Sequence, residues 1–453
     1  RSKIDYRTYL SQMEETEVTV DEGRSGKKAK KRKEFTEEDW IGRCSYVLPK
    51  KNRRCKMLIK EGRRFCGEHA VFEPSDETRV HCPLDPRHTV LRSELEAHVA
   101  KKCNSRFVER EDTEMNVNAV EGETGYFEKI DYRPSEDEIR FVIEILDRHS
   151  DLLVSGVEDS IPDTTVGSVQ KYLDDTPEMG PEKRRHLTQI NNIVANMSSS
   201  GLLHNSATKA VCDLGAGKAQ LTYFTALEAP LGRYLVVDRM GARNKWDNRL
   251  KKDHPEIGIH RIRCSIEHLD LRRVAELKSI SGVVGLCKHL CGSGTDAGVR
   301  CMMKIMEKEG DGEDKEEVKE DKGDDGDMKK TEKEARTLDG LVLAPCCAHK
   351  SRYAEYIGTA FLSATLGIGT RDHFAALRHI ATWATCGLQE CDDDGEDGRW
   401  SSSWKSRLGR LAKAAIEMGR ARAIEERGFT VRVIRYVAES ISPENLLILA
   451  KRI

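Results

Sequence analysis

Between Cys44 and Cys103 the chain has few aliphatic runs but many Cys, His, Lys and Arg, and no other stretch limits its possible folds so tightly. A segment this short and polar cannot bury enough apolar surface to hold itself together, so it needs a staple. Its Cys and His residues fall into two sets, Cys44-x10-Cys55-x10-Cys66-x2-His69 and Cys82-x5-His88-x9-His98-x4-Cys103. Three thiolates with one imidazole, or two of each, complete a tetrahedral Zn²⁺ shell with no open position, the mark of a structural site. The Cys66-x2-His69 spacing lets both side chains reach one ion from a tight turn, which Gly67 suits. Residues 91–100 read as a short helix that points His98 inward. Unrelated buried thiols are the alternative, but four ligands within about 25 residues, twice in succession, argue for two structural zinc ions.

The 453 residues are 34% charged, yet Lys and Arg (75) nearly balance Asp and Glu (77), so the charge is segregated rather than absent. Residues 1–39 form a polar arm whose Lys27–Lys33 run, KKAKKRK, suits nuclear import or RNA contact, or is simply solvated and disordered. The first finger spans 40–72 and the second 78–107, and a polar linker follows at 108–134. Lys50, Lys51, Arg53, Arg54, Arg63 and Arg64 crowd the first finger and favour phosphate contact. No run approaches the roughly 18 to 20 apolar residues of a membrane span. Fourteen Cys without a secretory segment favour metal ligands and buried thiols over disulfides, and thus an intracellular chain of the nucleus or cytoplasm. No obligate protein partner is evident.

From 135 to 453 the pattern is α/β. Ser135 and Glu138 form a capping box ahead of Ile139, Val142, Ile143 and Leu146 at helical spacing. Strands are expected at 210–214, 233–238, 260–266, 282–286 and 340–343, with a closing pair at 430–437 and 446–450. That alternation predicts a mostly parallel, Rossmann-like sheet with helices on both faces and a hairpin at one edge. The 307–336 stretch is almost wholly Glu, Asp, Lys and Gly, and reads as a disordered insertion.

After the first of these strands comes Cys212-Asp213-Leu214-Gly215-Ala216-Gly217-Lys218-Ala219. Gly215 and Gly217 allow a sharp strand-to-helix turn and close backbone approach to a ligand. Asp238 closes the next strand, where an acidic side chain accepts hydrogen bonds from ribose hydroxyls. Dinucleotides and S-adenosylmethionine share this layout; Asp213 at the strand end and the late antiparallel pair favour the methyl donor. No Walker-type lysine loop is present. The segments Cys287-Lys288-His289-Leu290-Cys291 and Ala344-Pro345-Cys346-Cys347-Ala348-His349-Lys350 follow two later strands and should border the cleft. Cys287, Cys291, Cys346 and Cys347 could make a third zinc site; uncoordinated thiols lining the cleft are the simpler reading.

Two basic Cys/His fingers followed by DLGAGKAQL, CKHLCGSGTD, APCCAHK and SPENLLILAKR together resemble one family. It is the eukaryotic tRNA 2′-O-methyltransferase family acting on nucleotide 4 of the acceptor stem, the TRM-thirteen family, whose second finger is of a CHHC type. Ala348 stands where that family often has His. The resemblance implies methyl transfer from S-adenosylmethionine to a ribose 2′-oxygen of a cytidine or adenosine in tRNA. A hydroxyl is a poor nucleophile, so a site residue must orient it and take its proton. Asp296, Lys288 and His289 are the titratable candidates; Asp296 is either the general base or, with Thr295, a helix N-cap. Lys288 could instead orient the ribose or hold a phosphate. A nucleobase methyltransferase, with Cys346 as a possible nucleophile, and a zinc-finger RNA scaffold with an inactive Rossmann domain are the competing readings.

Overall fold

A computed structural model describes residues 40–48, 53–73, 78–103, 105–120, 134–240, 245–288, 290–307, 336–384 and 401–453. The expected basic arm (1–39), His289 and all of the acidic insertion except Glu307 and Arg336 lie outside them. The chain divides into two units, Arg1–Lys102 and Cys103–Ile453.

The first unit has almost no aliphatic core. Tyr46, Ile59 and Phe65 pack around Cys44, Cys55 and Cys66, and Tyr46 stacks on His69 at 4.1 Å and on Phe72 at 4.6 Å. Its regular structure is two antiparallel hairpins, Val47–Leu48 with Arg53–Arg54 and Arg79–Cys82 with Asp85–Leu91. Polar contacts tie the second hairpin to the turn that carries His69. Thr89 donates its backbone N–H to Glu68 at 3.2 Å and its hydroxyl to the Gly67 carbonyl at 3.3 Å. The helix expected at 91–100 is a composite: a 3₁₀ turn at Arg92–Glu94, one α turn at Leu95–Ala97 and a wide π turn at His98–Lys102.

The second unit is built on eight strands: β1 (Glu158–Asp159), β2 (Lys209–Leu214), β3 (Arg233–Val237), β4 (Gly258–Ile262), β5 (Gly282–Lys288), β6 (Thr337–Ala344), β7 (Phe429–Arg435) and β8 (Leu446–Arg452). Their order in the sheet is β1-β7-β8-β6-β5-β2-β3-β4, and only β8 runs antiparallel to its neighbours. β2 and β5 are central and buried on both faces, which is why they read as unbroken apolar runs. Two expectations need correction. The strand expected at 260–266 ends at Ile262, because Ile266 begins a 3₁₀ turn. The closing pair is not the sheet edge: β8 lies inside, and the two-residue β1 covers β7 by backbone pairing and by the Arg432–Glu158 and Arg435–Asp159 ion pairs.

Among the described residues ten α-helices flank the sheet: α1 (Glu136–Arg148), α2 (Ser150–Ser155), α3 (Gly167–Asp174), α4 (Pro181–Ser199), α5 (Gln220–Glu228), α6 (Trp246–Asp253), α7 (Ser293–Met303), α8 (Thr359–Leu366), α9 (Arg371–Ala381) and α10 (Ser402–Glu425). The Ser135–Glu138 capping box at the start of α1 forms in both directions. Strand alternation sorts the core into two layers. Ala210, Cys212 and Leu214 pack with α1, α2 and α7–α10, whereas Val211 packs with α3–α6 on the other face. Among the described residues no helix is long and apolar enough to cross a membrane.

The linker expected at 108–134 is in part integral to this unit. Thr113 bridges to Leu269, and the buried Asn118 donates its side-chain amide to the carbonyls of Ile266 and Leu269 at 2.7 and 2.8 Å. A polar sequence can be built in this way because its hydrogen bonds, not its side-chain apolarity, satisfy the neighbouring loop.

Arg336, at the end of the acidic stretch, donates to the carbonyls of Leu271 and Leu277 at 3.1 and 2.6 Å. Excision of 308–335 is expected to leave the thermal midpoint and catalytic turnover unchanged, since that composition has no means of packing. Arg336→Ala should instead cost about 1.5–3 kcal/mol, the worth of charge-assisted hydrogen bonds, in a urea-unfolding measurement.

Candidate active site and metal-ligand clusters

The glycine turn leaves β2 at Leu214 and is strapped to the neighbouring strand: Gly215 and Ala216 both donate backbone N–H groups to the Val237 carbonyl, at 2.9 and 3.0 Å. Gly215 and Gly217 have φ of 70° and 53°, the left-handed region that favours glycine. Ala219, buried at the start of α5, shares that conformation with φ 60° and ψ 34°, a strain of about 1 kcal/mol for a residue with a side chain. A Cβ on Gly215 would meet Leu290 at 2.9 Å, whereas one on Gly217 would meet nothing within 4 Å. Asp238 borders this open ground. Its two carboxylate oxygens accept the backbone N–H groups of Gly217 at 2.8 Å and Met240 at 2.7 Å.

Asp213 does not share that open ground. It is 2% exposed, it accepts the Thr222 hydroxyl from α5, and burial pushes its carboxyl up to about 7 despite that bond and the nearby Arg261. It underlies the loop rather than lining it.

Lys288 ends β5 and is 7% exposed. Its Nζ lies 2.8 Å from Nδ1 of His186 on α4. Burial pulls the amine down to about 7, against the opposing influence of Cys346 and Asp213. His289 beside it is outside the described residues.

Asp296 is placed differently from either role expected of it. It is fully buried in α7, where Arg420 of α10 donates Nε to one oxygen at 3.0 Å and a terminal nitrogen to the other at 2.8 Å. The Ile357 backbone N–H adds a third contact at 3.3 Å. A carboxylate so enclosed has no face for a substrate hydroxyl. Nor is it the cap: Gly292 occupies that position, and Thr295 donates its hydroxyl to the Leu290 carbonyl at 2.6 Å. Arg420 also reaches Glu417 at 2.8 Å and Ser351 at 2.8 Å, so one guanidinium joins α7, α10 and the segment after β6.

The expected ligand sets converge. One donor atom from each of Cys44, Cys55, Cys66 and His69 lies within 4.8 Å of the others, and the same holds for Cys82, His88, His98 and Cys103. His69 Nδ1 stands 3.4 Å from Cys44 Sγ and 3.3 Å from Cys66 Sγ, and the Nε2 atoms of His88 and His98 are 3.0 Å apart. Burial holds the His69 and His98 imidazoles below their usual value, which favours the neutral form a metal requires. Cys291, Cys346 and Cys347 form a third cluster on the same criterion, while Cys287 lies fully buried outside it.

Comparison with known proteins follows these divisions. Residues 188–451 match the family model described as Methyltransferase TRM13, residues 42–70 that of the CCCH zinc finger in TRM13 protein, and residues 79–104 the U11-48K-like CHHC zinc finger. The first match covers more than half of the chain. The chain belongs to the TRM13 methyltransferase family. A mouse relative named tRNA:m(4)X modification enzyme TRM13 homolog is 31% identical, over 90% of this chain and 94% of that protein. Its human counterpart is 29% identical over the same shares, and a Kluyveromyces lactis TRM13 is 25% identical over 90% of this chain and 95% of its own.

Within this TRM13 sheet two residues of the site escaped sequence reasoning. His186 lies 102 residues from Lys288, and neither stretch signals the other. Arg420 had one available signal, a basic residue three positions after Glu417 in an Ala-rich, largely apolar helix stretch. Arg420→Met would strand the Asp296 carboxylate in the core and is expected to destabilise the second unit by about 3–5 kcal/mol in chemical denaturation.

Proposed function

We propose that this TRM13-family chain transfers the methyl group of S-adenosylmethionine to the ribose 2′-hydroxyl of nucleotide 4, a cytidine or adenosine, in the tRNA acceptor stem. The observation that carries this reading is Lys288: a buried amine near neutrality, at the carboxyl end of β5, where ligands of such sheets bind. Tuning a lysine to near 7 is what proton transfer at neutral pH requires. The names of the relatives supply tRNA as the substrate class.

The residues present fit the methyl donor. Asp238 spends two acceptor positions on backbone N–H groups, and a carboxylate offers about four, which leaves capacity for ribose hydroxyls. The open face of Gly217 admits a ligand against the backbone. Asp238, Gly215 and Gly217 would hold S-adenosylmethionine, with Asp213 beneath the loop supporting it through its bond to Thr222. The bound donor supplies an electrophilic methyl on a sulfonium. Lys288 in its neutral form accepts the 2′-hydroxyl proton, and His186 fixes the position of Nζ. The eight finger residues would hold two Zn²⁺ ions in closed shells that take no part in chemistry. Arg63 and Arg64, exposed on the first finger, offer phosphate contacts that set register without reading sequence, as an A-form stem demands. Arg54, held over the Trp40 ring at 4.9 Å, adds to the positive charge of this finger.

Incubation of the full chain with methyl-labelled S-adenosylmethionine and tRNA, followed by nucleoside analysis, should yield a ribose-methylated nucleoside that maps to position 4. A methylated base would favour the nucleobase enzyme, and absence of product the inactive scaffold. Turnover should rise with pH to about 7 and level off above it, because the protonated amine dominant below that value cannot accept a proton. Lys288→Arg keeps the charge and removes the acceptor; it should lower kcat by about 100-fold or more with donor affinity intact. Asp238→Ala should weaken S-adenosylmethionine binding by about 1–3 kcal/mol in calorimetry.

A further inference from the structure

We propose that Cys291, Cys346 and Cys347 form a third zinc site, which ties the loop after β5 to the loop after β6 at the carboxyl edge of the sheet. Their sulfurs lie within 4.8 Å of one another, with Cys291 and Cys346 at 3.1 Å and Cys346 and Cys347 at 3.5 Å. These separations are too long for a disulfide, whose sulfurs are about 2.05 Å apart. They approach the edge of a zinc tetrahedron, where Zn–S bonds of about 2.3 Å set sulfurs roughly 3.8 Å apart. The two finger clusters show the same crowding, with donor atoms 3.0 to 3.4 Å apart.

Sequence distance argues against accident. Cys291 stands 55 residues before Cys346, and two loops from adjacent parallel strands deliver the three thiols to one point. The Lys350 ammonium beside Cys347 favours its thiolate, and Cys291 lies just ahead of the N-terminus of α7. Three adjacent thiolates repel one another unless a cation lies between them. Among the described residues no fourth His, Cys, Asp or Glu joins the group. Cys346 lies close enough to Lys288 to influence its charge, so an ion here would brace the strand end that carries the amine. The site stands on the thiol geometry and not on the assignment of Lys288.

The test is metal content of the full chain, purified with zinc present and dialysed exhaustively. Cys347→Ser and Cys291→Ser should each carry one equivalent fewer than the unsubstituted chain, and Cys55→Ser combined with Cys347→Ser two fewer. The difference, not the total, is diagnostic, so the count in the fingers does not enter it. Cobalt substitution gives a second readout: thiolate-to-cobalt absorption should be lower in Cys347→Ser than in the unsubstituted chain while far-ultraviolet dichroism is unchanged. Equal metal content in the unsubstituted chain and in folded Cys347→Ser would overturn the proposal. So would a Cys291–Cys346 disulfide that forms in air with no loss of metal, since those thiols would then be a redox pair.

Discussion

A guanidinium with no exposed surface must find an acceptor for its N–H groups inside the protein, and that requirement organises the catalytic side of the sheet. Arg420 meets it with Asp296, Glu417, Ser351 and the Gly292 carbonyl. Each partner belongs to a different piece of chain: α7, α10, the segment after β6 and the turn after β5. The planar fork of Arg fixes all four at once, which a flexible ammonium could not. Lys288 and the three thiols sit on the ends of the strands that this network steadies. Two buried carboxylates sharing one guanidinium is a costly arrangement, and Glu417 shows it: burial raises its carboxyl above the usual range.

The central strands were legible in the sequence because burial on both faces writes a continuous apolar run, as in the ValValGlyLeu portion of β5. The two-residue β1 was not, because Glu158 and Asp159 pair by backbone and carry no apolar pattern. The buried part of the linker escaped for a related reason: Asn118 and Thr113 are buried by hydrogen bonds, which hydropathy does not record.

The site divides along the same line. Ligand sets and the glycine loop depend on local spacing, and the residues named for them converge. Asp296 and the Lys288–His186 contact depend on partners more than 100 residues away. In sequence Asp296 sits in a Gly, Ser and Thr setting that reads as a helix start near a cleft, and only Arg420 reverses that meaning. Asp213 and Lys288, both drawn by burial to about 7, show a further effect of enclosure: near neutral pH the floor of the site can gain or lose a proton at little cost.

The position of β8 has a consequence for synthesis. It lies between β6 and β7, so β7 and β1 reach the rest of the sheet only through it. While the chain emerges from a ribosome, β2 to β6 can assemble, but one edge of β6 stays open until residues 446–452 appear. Until then Leu341 and Leu343 lack the strand that pairs with them, and that edge stays open to pairing elsewhere.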